Sequence, residues 1–129
     1  MDLKDSLIEL FIWREARGGT SDDWQGILSV ARNRLAASYL GANTLAEVIL
    51  RKYQFSSFNW NDVNSTKFPR SADVPGWKAW QAIQKLVAAD LTDNTNGANH
   101  YCNKGLATSW NKGVEPCAHT SSFDFYNVP

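Results

Sequence analysis

Apolar residues recur every three to four positions in three separate stretches of this chain, and the pattern stops at Asp90. That spacing gives each stretch one apolar helical stripe, and the stripes must be buried against one another. In the first stretch, Leu3 to Arg17, residues Leu3, Leu7, Ile8, Leu10, Phe11 and Ile12 share a broad arc, with Asp5, Glu9 and Ala16 opposite. Glu15 falls between Phe11 and Ile8, inside the apolar arc. Arg14 and Lys4 fall inside it too, but their long stems can carry the charge out to water. A glutamate is too short for that.

Gly18-Gly19 is expected to end this helix in a left-handed backbone. Ser21, with Asp22 and Asp23 behind it, reads as the N-cap and acidic first turn of a second helix running to about Tyr39. Its stripe is Trp24, Ile27, Leu28, Ala31 and Leu35. Gly41-Ala42-Asn43 breaks it, and "TLAE" from Thr44 to Glu47 reads as a capping box for a short helix ending near Lys52. From Tyr53 to Val74 no period survives, and an irregular stretch of about 20 residues in a compact domain is often functional. Pro75 suits the first turn of a further helix, with Trp77, Trp80, Ile83, Leu86 and Val87 as its stripe. Beyond Asp90 the chain is turn-rich, and the tail "SSFDFYNVP" alternates like an edge strand or an extended terminal segment. The expected architecture is a single domain over residues 1–129, α+β and mostly helical, with a long irregular loop and at most a small sheet.

Thirteen basic and thirteen acidic side chains cancel, and no stretch collects one sign. A general nucleic-acid surface or an anionic-membrane surface needs a basic face, so neither partner is expected. No run approaches the ~20 apolar residues of a membrane span, so membrane insertion is not expected either. The acidic, amphipathic "MDLKDSLIEL" lacks the pattern of a signal peptide. Cys102 and Cys117 are either a pair across a short loop or two free thiols. No Cys/His cluster has zinc spacing, so neither a metal nor another cofactor is expected. An uncharged glycan remains a possible ligand. Six tryptophans among 129 residues is a high number; each alone is explained by the core, but a saccharide cleft would employ two or three.

Glu15 leads the chemistry candidates. Apolar neighbours disfavour its charged form, as does the negative end of the helix dipole. A carboxyl kept protonated near neutral pH can protonate the leaving oxygen of a glycosidic bond. The plainer reading is an ion pair of Glu15 with Arg17 or Arg34. Glycosidases commonly use a second carboxylate, for which Asp22, Asp23, Asp62, Asp93 and Asp124 are available. The first two suit a helix start and the others suit turns, so a one-acid mechanism is also open. "QFSSFNW", Gln54 to Trp60, mixes amides, hydroxyls and aromatics as a sugar site would, or as a loop anchored by Phe55 and Trp60 would. His100 and His119 have no activated nucleophile beside them. "NGANHY" places His100 and Tyr101 just after a turn, where ligand-facing residues are common.

"REARGG", then "ARNRL", "QFSSFN", "NGANHYCN", Ser109-Trp110 and "HTSSFDFYN" resemble, in this order, the cell wall hydrolase family of spore cortex-lytic enzymes (SleB-like), which has relatives among phage endolysins. The resemblance runs from about Phe11 to Asn127. It implies a lysozyme-like fold and a lytic transglycosylase that cleaves peptidoglycan glycan strands with one glutamate, here Glu15. It also implies that Gln54, Ser56, His100, Tyr101 and Trp110 contact substrate. Thr20 stands where the family usually has an acid, and the link from His119 to the following aromatics is longer than usual.

On this resemblance Glu15 protonates the oxygen between N-acetylmuramic acid and N-acetylglucosamine. Its carboxylate then takes the C6 hydroxyl proton, and a 1,6-anhydro ring closes. Two rival readings are a hydrolytic lysozyme with a Glu/Asp pair and a non-catalytic glycan-binding module. A monomer is expected, made in a host cytoplasm and acting on the wall after release.

Overall fold

The computed structural model describes residues 3–51 and 62–129. Gln54 and Ser56 therefore lie outside the described residues, as does the whole of "QFSSFNW". Among the described residues, four α-helices precede a small sheet: α1 (Leu3–Ala16), α2 (Ser21–Ala36), α3 (Leu45–Leu50) and α4 (Val74–Ala89), then β1 (His100–Asn103), β2 (Ala118–His119) and β3 (Phe123–Tyr126). Among the described residues, no helix is long and apolar enough to cross a membrane.

The helices fall where the periodicity puts them, but α1 is not a surface helix with one wet face. It packs against α4, α3 and α2 together, so Phe11, Ile12 and Trp13 are all buried. A helix enclosed on several sides must bury polar side chains as well. Glu9, expected toward water, is only 7% exposed. Burial and then the nearby Asp5 charge raise its pKa, against a hydrogen bond with Gln84. Arg14 does not carry its charge out to water: it is buried and donates Nε–H to the Lys67 carbonyl at 3.0 Å.

The turn after α1 also differs from expectation. Neither Gly18 nor Gly19 has a positive φ. Gly19 is needed instead for proximity, because a Cβ there would sit 2.7 Å from Asp23 Oδ2 and 3.2 Å from the Ala16 carbonyl. The N-cap of α2 is Thr20 rather than Ser21: its Oγ1 accepts from Asp23 N–H, while Asp23 Oδ2 accepts from Thr20 N–H in return. The unexpected threonine is thus half of a capping box. Helix α2 stops at Ala36, short of Tyr39, which opens a 3-10 turn to Gly41. At α3, Thr44 caps Glu47 N–H as expected, but the Glu47 carboxylate reaches back to Asn43 N–H at 2.7 Å. In the irregular stretch, a short 3-10 turn, Val63–Thr66, starts at Asp62.

The sheet order is β1-β3-β2, both pairs antiparallel. The tail strand β3 is therefore central rather than an edge, and all four of its residues are buried. Its Phe125 packs on Gly26 of α2, where an added Cβ would overlap the ring. A glycine inside a helix costs about 1 kcal/mol relative to alanine, and this contact is the local reason for one. Buried Asp23 fixes the same junction, accepting from Ser122 N–H at 3.0 Å and Ser122 Oγ–H at 2.7 Å.

Candidate active site at the end of α1

Glu15 occupies the last turn of α1 and is half-buried. That turn is anchored: the Ala16 carbonyl accepts from Trp24 Nε1–H at 2.6 Å and from Gly19 N–H at 2.9 Å. Facing it, Tyr101 of β1 forms a side-chain hydrogen bond with Glu15. The Tyr101 pKa is raised well above 10, first by burial and then by the Glu15 charge and this hydrogen bond, with Arg34 opposing. The phenol therefore stays protonated and donates to the carboxylate. Its ring is wedged against Phe123 and Phe125, with centroids 5.3 and 6.0 Å away.

Arg34 of α2 lies next to this pair and is only 4% exposed. Its Nε–H donates to the Asn99 carbonyl at 2.6 Å, and its guanidinium lies 4.9 Å from the Tyr39 ring centroid. It shares the α2 side chains' inward direction because it follows Ala31 by three positions. Desolvation lowers its pKa, against the raising influence of Tyr39 and Tyr101; an arginine still keeps its charge.

His100 precedes Tyr101, so the strand pleat turns it to the other face of β1. There its ring meets Trp110 at 4.8 Å and the edge of Tyr39 at 5.9 Å, and Trp110 in turn meets Tyr126 at 5.3 Å. Asn99 Oδ1, which accepts from Val128 N–H, is 2.9 Å from His100 Nδ1. An amide oxygen only accepts, so Nδ1 carries the proton and Nε2 is left as an acceptor. Burial, then the Arg34 charge, lowers the His100 pKa to about 4. The imidazole is neutral at pH 7.

The structure thus gathers the described candidates into two groups, Glu15 with Tyr101 and His100 with Trp110. Arg34 is the residue electrostatically common to both, through Tyr101 and His100. Sequence reasoning had placed Arg34 only in an ion pair. His119 is separate: it lies on β2 with β3 intervening, and its Nδ1 is 2.6 Å from Asp124 Oδ1.

The five aspartates considered as partners have other work or stand exposed. Asp23 holds Thr20 and Ser122; burial alone would raise its pKa, but hydrogen bonds involving Thr120, Thr20 and Ser122 leave it lowered. Asp62 caps Asn64 N–H at 2.8 Å. Asp93 accepts from Thr95 N–H and Oγ1–H, Gly97 N–H and Asn33 Nδ2–H. Asp124 accepts from Gly105 N–H at 2.9 Å. Asp22 lies exposed in the first turn of α2. Cys102 and Cys117 are both free thiols.

The comparisons with known proteins fit this architecture. The crystal structure of the catalytic domain of the Bacillus cereus SleB protein superposes with a TM-score of 0.69 at 21% identity, covering 96% of this chain and 89% of that one. No curated protein matches the sequence significantly. A family model described as Cell Wall Hydrolase matches residues 20–126, a span that begins after Glu15 and includes Arg34, Tyr101 and Trp110. With most of its length inside that match and a lysozyme-like α+β fold like that of the SleB catalytic domain, the chain belongs to the cell wall hydrolase family of peptidoglycan-degrading enzymes.

Proposed function

We propose that this enzyme is a lytic transglycosylase of the endolysin type, with Glu15 as its one catalytic acid and base. The observation that carries the reading is the Glu15–Tyr101 hydrogen bond at the anchored end of α1. A carboxyl held by a donor that does not ionise, on a rigid element, has the fixed orientation that proton transfer requires. The commitment of Asp23, Asp62, Asp93 and Asp124 to backbone donors supports a mechanism without a second carboxylate.

In the proposed reaction the Glu15 carboxyl gives its proton to the glycosidic oxygen between N-acetylmuramic acid and N-acetylglucosamine, and the C1–O bond breaks. The resulting carboxylate takes the proton of the muramic C6 hydroxyl as O6 bonds to C1. One bond breaks, one forms, and the proton returns to Glu15; water is not consumed. Tyr101 keeps the carboxylate oriented by donating to it. Arg34 stabilises negative charge on that side of the site. Neutral His100 and Trp110 offer an acceptor and a ring face to the strand, and Gln54 and Ser56 complete the substrate contacts carried over from the family motif. The endolysin setting, with action on the wall after release from the cytoplasm, rests on the motif resemblance.

Mass spectrometry of digested peptidoglycan tests this directly. Muramic ends in the 1,6-anhydro form, one water lighter than reducing ends, are expected. Reducing ends alone would assign the enzyme as a hydrolytic lysozyme, and no cleavage would reduce it to a binding module.

A further inference from the structure

On the far side of α1 from Glu15 lies a cavity of about 470 Å³, within the range of small-ligand sites. Trp13 forms part of its lining and is itself fixed, its indole N–H donating to the Gly76 carbonyl at 2.9 Å. The Arg17 guanidinium lies 4.6 Å from the Trp13 ring centroid, and its two terminal nitrogens are 3.3 and 3.4 Å from Asn64 Oδ1. The cation is thus held in place from two directions. Lys67, Phe68 and Arg70 come from the segment after the 3-10 turn, and Asp73 closes the set. Arg14 fastens this segment to α1 through the Lys67 carbonyl and lies over the Phe68 ring at 4.8 Å.

Three cations therefore share the cavity with one carboxylate, in a chain whose charges balance as a whole. The Asp73 carboxylate already caps α4 by accepting from Gly76 N–H. Among the described residues, no ion pair within 4 Å involves Arg17, Lys67 or Arg70. A stabilising role at the negative end of α1 would account for Arg17 alone. It does not account for two further cations contributed by another segment beside an exposed phenylalanine.

We propose that this cavity is a subsite for the carboxylates of the peptide stems carried by the glycan strand. This rests on the reading of peptidoglycan as substrate. Trp13 and Glu15 are two residues apart on α1, so about 3 Å along the helix axis and roughly opposite around it. The path from one site to the other runs half-way round a helix about 10 Å thick, so roughly 15 Å. A peptide of four or five residues, extended at about 3.4 Å each, spans that distance. A strand whose scissile bond lies at Glu15 can therefore place the acidic groups of its stem among Arg17, Lys67 and Arg70, with exposed Phe68 supplying apolar contact.

The test compares kcat/KM on peptide-bearing glycan strands with that on the same strands stripped of peptides by an amidase. The ratio of the two is read for the unaltered enzyme and for a Lys67→Gln/Arg70→Gln double variant. Both positions are exposed, so the fold should tolerate the changes. A fall of about tenfold or more in that ratio is expected, the size of a lost charge-assisted contact. An unchanged ratio overturns the subsite. In parallel, a synthetic stem tetrapeptide with free carboxylates is titrated while the Trp13 indole N–H is followed by NMR, with oligoglycerol phosphate as the second ligand. A saturable shift with the peptide that weakens in the double variant is expected. A response to the phosphate polymer alone, or to neither, overturns the proposal. Should the enzyme cleave neither glycan, the functional reading fails, and the titration still decides the subsite.

Discussion

Two acid–ring pairs in this molecule look alike on paper and differ in construction. Glu15 meets Tyr101 across the gap between α1 and β1. Asp124 meets His119 between neighbouring strands. Asp124 is locked by the main chain: Gly105 N–H, ahead of burial and the His119 contact, sets its pKa below the ordinary aspartate value. A carboxylate stabilised in this way holds its charge and its place. Glu15 instead is oriented through a neutral phenol at an anchored helix end. The first arrangement fastens a sheet, and the second, on the proposed mechanism, serves proton transfer.

Substitutions should separate the pairs, and the largest effect is expected at Glu15. Glu15→Gln keeps the shape but removes the transferable proton, so wall clearing should fall ~10²–10⁴-fold, with an unchanged melting temperature. Retention of a tenth of the activity would dissolve the contrast. Tyr101→Phe keeps the packed ring and removes the donor. It should lower kcat about 10- to 100-fold through loss of orientation, with a stability change within about 1 kcal/mol. If stability falls instead, the phenol is a structural group like Asp124.

Asp124→Asn should show the opposite profile. The folded protein stays active, while stability drops by about 1–3 kcal/mol as a buried charge-assisted acceptor is lost. The pH dependence follows from the lowered pKa. The contribution is present above the unfolded value, near 3.8, and disappears as pH falls through the folded value. Melting curves of variant and parent should therefore converge on acidification below that point. The smallest effect is expected for His119→Gln, whose side chain is 56% exposed. Its loss should cost below about 1 kcal/mol, as for other exposed ionic contacts. A larger loss would mean that the histidine, rather than the Gly105 amide, holds Asp124.

The helical half of the fold was legible because its signals are local. Trp24, Ile27, Leu28 and Ala31 are all buried, as the stripe of α2 requires. Pro75 marks the first turn of α4 as expected, behind an Asp73 cap that the sequence reading did not name. What failed depends on partners distant in sequence. The enclosure of α1 by three helices is invisible in a segment containing Glu9 and Arg14, since charge ordinarily signals solvent. The central place of β3 was missed because one of its two edges pairs with the earlier strand at Tyr101, distant in the chain, while only the other pairs with neighbouring Ala118. In the site, the local motif pointed to Tyr101, whereas Arg34 within "ARNRL" reads as a solvated helix charge until β1 covers it. Its spacing from Ala31 was the available clue. Gly26, a costly residue in mid-helix, was a second clue, to the close approach of Phe125.

That last contact has a consequence for when activity arises. Glu15 belongs to the helical layer and Tyr101 to the sheet, and a missing side chain at position 26 sets how closely the layers seat. A molecule with its helices formed but its sheet not yet docked carries the acid without its partner. It would be secondary-structure-complete and inert. Activity should therefore require a seated sheet, and any residue bulkier than glycine at position 26 should act as a shim that holds Tyr101 away from Glu15.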